Sequence, residues 1–146
     1  MKAVRINEFG GLDVLKWEEA AQPTPRAHQV LIKVDSAGVN YADILRRGGN
    51  YPGPDLPSSM GLEAAGTVTE VGSDVSGFTI GQKVMGMGPG SQAEYVAINS
   101  NLVFPYPASL DPVEAGGMPI VFLTSYHILK TRGGLQSGDT VLVQAG

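Results

Sequence analysis

The sequence predicts a mainly β fold with some α-helix, and three observations carry that expectation. The 146 residues include 20 glycines and 10 prolines, well above their usual combined share of roughly 12%. Such punctuation suits many short strands and turns rather than a helical bundle. From residue 2 to about residue 104, short apolar runs recur between Gly-rich and Pro-rich breaks, and six or more such strands argue for a compact β-barrel. After residue 110 the texture changes to a capped helix followed by a continuous apolar run, the pattern of a parallel α/β unit.

Taken in order, Lys2 to Phe9 alternate in period two and predict a strand closed by Gly10-Gly11. Leu12 to Glu19 reads as its hairpin partner, broken by Gln22-Pro23-Thr24-Pro25. The clearest strand puts Val30, Ile32 and Val34 on one face and Lys33 and Asp35 on the other. Tyr41 to Arg47 predicts a helical turn stopped by Gly48-Gly49. Tyr51 to Pro57 is a stiff loop, because its prolines fix φ and remove donors. Further strands are expected at 63–71, 81–86, 93–98 and 101–104, with Gly72 to Gly77 a turn between two of them.

Asp111-Pro112-Val113-Glu114 carries the signals of a helix start. Asp is the N-cap, Pro takes the first helical position and Glu completes a capping box. The helix is expected to run to about Lys130, with a break at Gly116-Gly117-Met118-Pro119 and a stop at Gly133-Gly134. Lys130 and Arg132 suit its negative end. Thr140 to Gln144 then reads as a strand buried on both faces of a parallel sheet. A parallel strand reaches its neighbour through a crossover of a dozen or more residues, yet the sequence stops at Gly146. The expectation is therefore a piece of a longer polypeptide: residues 1–110 form one domain, and residues 111–146 begin a second.

Composition excludes several functions. The chain has no cysteine, so disulfides, thiolate metal sites and thiol nucleophiles are ruled out. Net charge is −4, and no basic cluster exceeds Arg46-Arg47, which argues against nucleic acid or an anionic membrane as partner. The longest uncharged apolar stretch, Ala115 to Leu129, is interrupted by Gly, Pro, Ser and His and falls short of the roughly 20 residues of a membrane span. The N-terminus lacks the apolar run of a signal peptide. A cytoplasmic protein is the reading.

Four motifs stand in order: Gly38-Val-Asn-Tyr-Ala-Asp43, Gly61-Leu-Glu-Ala-Ala-Gly66-Thr-Val, Gly81-Gln-Lys-Val-Met85 and Gly138-Asp-Thr-Val-Leu-Val-Gln-Ala-Gly146. Together they resemble the N-terminal half of a medium-chain dehydrogenase/reductase, in the zinc-free quinone oxidoreductase (zeta-crystallin-like) branch. The resemblance covers essentially the whole chain. It implies a GroES-like β-barrel catalytic domain, followed by the first helix and strand of a Rossmann domain for a nicotinamide dinucleotide. It also implies NADPH as cofactor, a small quinone or enone substrate and a homodimeric parent.

Zinc-dependent members resemble this chain but place Cys where Asn40 stands and His where Leu62 stands, with a third ligand near Ile120. Asn, Leu and Ile supply no thiolate or imidazole, whereas Zn²⁺ needs three or four N, S or O ligands. Asp43 and Glu63 remain as isolated carboxylates. No catalytic metal is expected.

Hydride transfer without a metal rests on positioning and charge stabilisation. By the resemblance, Asn40 lies near the ribose end of the nicotinamide; by local sequence it is a turn-forming residue after a strand. Tyr51 occupies the place of a tyrosine that related enoyl-thioester reductases use as proton donor, and a phenol is a competent donor at neutral pH. Packing of that ring on Pro52 and Pro54 is an equally open reading. Tyr41 is expected to line the same cleft, while Leu45 replaces an aromatic found in some relatives. Thr124 matches a threonine that approaches the nicotinamide, against the local reading of a helix threonine bonded one turn back. Gly146 opens the phosphate-binding turn. His28 reads as a solvated loop residue, His127 as a helix-surface or satisfied core residue rather than a base, and Met85, Met87 and Met118 as core filler.

The function these residues imply is hydride transfer from NADPH to a quinone or other α,β-unsaturated carbonyl, with the present chain inactive alone. The alternatives are an enoyl-thioester or enone reductase with Tyr51 as donor, and a non-catalytic GroES-like binding module.

Overall fold

The computed structural model describes residues 1–144. Two antiparallel sheets dominate it. The smaller has the order β2-β1-β4, where β1 is Lys2–Ile6, β2 is Lys16–Glu19 and β4 is Ser58–Ser59. The larger comprises β3 (Gln29–Ala37), β5 (Glu63–Val71), β6 (Lys83–Met87), β7 (Tyr95–Asn99) and β8 (Val103–Pro105), in the order β7-β3-β5-β6-β8. Every pairing within it is antiparallel.

The main core is aliphatic: Val30, Ile32, Ala64, Val68, Val84, Val96, Ile98 and Val103. All but Ala64 are β-branched, and such side chains pack well on a pleated surface. Leu31, between two of them, is also buried, so β3 departs from the simple alternation its sequence predicts. The pairing of β3 with β5 shifts register between Leu31 and Ile32 and again between Val34 and Ser36. Such bulges bend and twist a strand, and they curl the sheet into a partly open barrel. The two sheets are joined where Val4 N–H donates to Gln92 O (2.8 Å) and Glu94 N–H to Lys2 O (3.0 Å).

The first helix, α1, spans Tyr41–Arg47 as its flanking signals predict. The helix expected from residue 111 is divided by its Gly-Gly-Met-Pro segment into α2 (Pro112–Gly116) and α3 (Pro119–Tyr126), and α3 continues as a π-helical stretch, His127–Arg132. The capping box forms as its spacing predicts, Val113 N–H donating to Asp111 Oδ1 at 2.7 Å and Asp111 N–H to Glu114 Oε2 at 3.2 Å. Through Ala115, α2 packs on Ala65 and Tyr106. Among the described residues no helix is long and apolar enough to cross a membrane.

Three expectations need correction. Leu12–Val14 is a 3₁₀ turn, so the hairpin partner begins only at Lys16. Met85, Met87 and Met118 are half-buried rather than core, and Met85 and Met118 line an apolar cavity of about 230 Å³ with Phe104 and Phe122. Thr140 to Gln144 forms no strand: Leu142 is 83% and Val143 71% exposed. A strand apolar on both faces is held by neighbours on either side, and among the described residues none pairs with it.

Candidate active site

The site is built where β3 ends. After Ala37 the backbone passes Gly38 and Val39 to Asn40, the N-cap of α1. Asn40 is followed three positions later by Asp43, and the two form a capping box. Asn40 N–H donates to Asp43 Oδ2 at 2.8 Å, and Asp43 N–H donates to Asn40 O at 2.9 Å, which ties down donors at the start of the helix. Asp43 itself is buried. Burial pushes its carboxyl above the ordinary aspartate value, and the N–H groups of Asn40 and Gly61 oppose the shift.

A second carboxylate reaches Asn40 from β5. Glu63, only 1% exposed, accepts Asn40 Nδ2–H at Oε1 (2.7 Å) and Ile120 N–H at Oε2 (2.7 Å). The reading of Asp43 and Glu63 as isolated acids is therefore wrong, since both bind Asn40. The pairing of Asn40 with Asp43 went unread in the sequence, although an Asn-x-x-Asp spacing before a helix is the signal that carries it. The Glu63 contacts have no such local signal, because their partners lie 23 and 57 residues away.

Asn40 and Ile120, two of the three positions that would carry metal ligands in zinc-dependent relatives, thus meet on Glu63, the residue after the third, Leu62. A half-buried leucine side chain and an isoleucine offer no donor there. Among the described residues no group of three His, Cys, Asp or Glu is placed to hold a metal ion. The residues present do not fit zinc.

Tyr51 opens the loop between α1 and β4, and is 39% exposed. Arg46 anchors that loop, donating to the carbonyl of Pro54 while its guanidinium sits 5.2 Å over the ring of Phe9. Tyr51 shares a narrow cavity with Asp43, Arg46, Gly61 and Leu62, so the phenol loop abuts the cap of α1. Tyr41, on the first turn of α1, is 72% exposed. Thr124 is exposed on α3, one turn beyond Ile120 and so on the same side of the helix. His28 and His127 are exposed and take no part in this cluster. Gly146 lies outside the described residues.

The raised carboxyl of Asp43 has a consequence for stability. Between the unfolded and folded values the native state holds more protons, so Asp43 favours folding at low pH and that contribution is lost as pH rises through its folded value. Asp43→Asn keeps an acceptor for the cap but cannot ionise. The expected result is that its Tm, measured against the parent from acid to neutral pH, gains on the parent as pH rises. A constant difference would refute the linkage.

Residues 26–108 match the model of the alcohol dehydrogenase GroES-like domain. The chain is 38% identical to the quinone oxidoreductase of Lama guanicoe over 147 residues, covering 98% of this chain and 44% of that protein. It is 38% identical to the 2-methylene-furan-3-one reductase of Solanum lycopersicum over 159 residues, covering all of this chain and 41% of the relative. The solved structure of mycobacterial Rv1454c complexed with NADPH superposes with a TM-score of 0.92 at 34% identity, covering 100% of this chain and 46% of that one. The chain thus spans less than half the length of these relatives. It belongs to the alcohol dehydrogenase GroES-like family, and within that family it is similar to the quinone oxidoreductase branch of the medium-chain dehydrogenase/reductases.

Proposed function

We propose that this chain is the N-terminal part of an NADPH-dependent, zinc-independent oxidoreductase that passes hydride to a quinone or another α,β-unsaturated carbonyl. In this reading residues 1–110 form the catalytic domain and residues 111–146 begin the nucleotide-binding domain. The observation that carries the reading is Asn40 held between Asp43 and Glu63, an uncharged amide where zinc-dependent relatives would place a thiolate. An amide can donate to a ligand oxygen without a charge to desolvate.

NADPH, when bound, supplies the hydride. Asn40 and the exposed Thr124 are the groups this chain offers to the nicotinamide end, and Gly146 would open the phosphate turn. Tyr51 and Tyr41 face the substrate. As hydride reaches the β-carbon of an enone, negative charge gathers on the carbonyl oxygen, and the Tyr51 phenol stabilises it and delivers the proton that completes the reduction. The enone reading is favoured by the similarity to a reductase whose name specifies a 2-methylene ketone.

The decisive experiment uses the full-length protein. NADPH oxidation over a panel of quinones and enones, with elemental analysis of the same sample, should give turnover without stoichiometric zinc. Stoichiometric zinc would overturn the metal-free reading, and absence of turnover on every acceptor would favour the binding-module alternative. The 146-residue chain alone should bind NADPH too weakly for submicromolar affinity by calorimetry.

A further inference from the structure

We propose that Glu63 is a positioning residue that decides which end of the Asn40 amide is presented to a ligand. The carboxylate is almost fully buried, and among the described residues it forms no ion pair. Its oxygens are instead met by Asn40 Nδ2–H and Ile120 N–H, both at 2.7 Å. A buried carboxyl group held by hydrogen bonds alone needs those donors in place.

The backbone leaves room for this group. A Cβ on Gly38 would lie 2.7 Å from Glu63 Cδ and 2.8 Å from Cγ, so the glycine before Val39-Asn40 is the space into which the carboxylate fits. Gly38 N–H also donates to Glu63 O at 3.3 Å. Carboxylate, glycine, Asn40 amide and Ile120 N–H form one packed unit, drawn from the end of β3 and the starts of α1, β5 and α3.

The chemistry follows from what each group can do. Both Glu63 oxygens act as acceptors, so Asn40 turns its nitrogen toward Glu63. The first turn of α1 draws on the main chain of Asn40 instead, Asp43 N–H donating to Asn40 O at 2.9 Å. The second Nδ2–H of this half-buried residue remains uncommitted. Asn40 is therefore set as a donor, and the ligand atom it suits is an acceptor oxygen, carbonyl or hydroxyl. Because Thr124 lies one turn beyond Ile120, the same carboxylate also anchors the helix that carries it. That the oxygen belongs to a cofactor or substrate rests on the proposed function; the amide geometry does not.

Glu63→Gln separates the two bonds. A glutamine has one acceptor and one donor end, so it can satisfy only one of the two N–H groups. Ile120 N–H is fixed in the main chain, whereas Asn40 can rotate. The glutamine oxygen should keep Ile120, its nitrogen should face Asn40, and the Asn40 amide should flip to present its own oxygen. Gly38→Ala acts differently, displacing the whole carboxylate and loosening both bonds.

The test is solvent exchange of side-chain amide protons in the ¹⁵N-labelled chain, without cofactor or substrate, so that it stands or falls independently of NADPH turnover. In the parent, one Asn40 Nδ2 proton should exchange at least about tenfold more slowly than those of the exposed Asn7 and Asn101. In Glu63→Gln that protection should vanish while the Ile120 amide keeps its own. In Gly38→Ala both should be lost, with the amides of β3 and β7 retained. An Asn40 proton that exchanges like Asn7 in the parent overturns the proposal. So does full protection of Asn40 in Glu63→Gln, which would leave Glu63 with the docking of α3 alone.

Discussion

Tyr51→Phe, made in the full-length protein, should lower kcat for an enone by about 10²–10³, the range for loss of one oxyanion donor. The substitution keeps a ring of the same shape at the mouth of the Pro-rich loop and removes a single polar atom. Arg46 holds that loop independently, through Pro54 and Ser58, so the loop should stay in place. Quinone reduction should fall less, because a quinolate is a stable anion that takes its proton from water. Steady-state rates on both acceptors decide the role. Parental rates on both would assign Tyr51 to packing, and equal large losses would assign it to orienting the substrate. The difference between the two ratios carries the information.

Gly66→Ala should produce the largest loss of stability, at least about 3 kcal/mol, the upper end for overpacking a filled site. Gly66 lies in β5, paired with Val34 of β3 on one side and Val84 of β6 on the other. A Cβ there would press on the backbone carbonyl of Lys33 and come within 2.9 Å of Ile32 Cγ2. Main-chain atoms in the central strands of a sheet cannot swing aside as a flexible side chain would. For a chain of this size the expected fall in Tm is roughly 10 °C, read by far-UV circular dichroism. Gly117→Ala is the matched control: its Cβ meets nothing within 4 Å and its φ is −108°. That variant should stay within about 0.5 kcal/mol of the parent. Comparable losses in both would show that glycine flexibility, rather than the close strand approach, sets the effect.

Much of the architecture was legible because it is encoded locally. Period-two alternation located β1 and β3, the Gly48-Gly49 pair ended α1, and the Asp-Pro-x-Glu sequence marked the start of α2. Each of these signals acts over a few residues, where backbone sterics and nearby hydrogen bonds dominate. Asn40, Tyr51 and Thr124 could be singled out by type and by family resemblance. The tight approach at Gly66 could not, since it depends on how β3 lies across β5.

The site shows the same division more sharply. By itself, the sequence determined which side chains stand at positions 40, 62 and 120, none of them a thiolate or imidazole, and it singled out Asn40 as a residue that follows a strand. Only the tertiary structure decided what Glu63 does. Its two partners come from a loop 23 residues before it and a helix 57 residues after it, and such pairings follow from the curl of the barrel rather than from any local pattern. The apolar run at Thr140 to Gln144 is the converse. Its sequence has the apolar pattern of a strand, but a strand forms only where neighbours share its hydrogen bonds, and that condition is met by tertiary contacts alone.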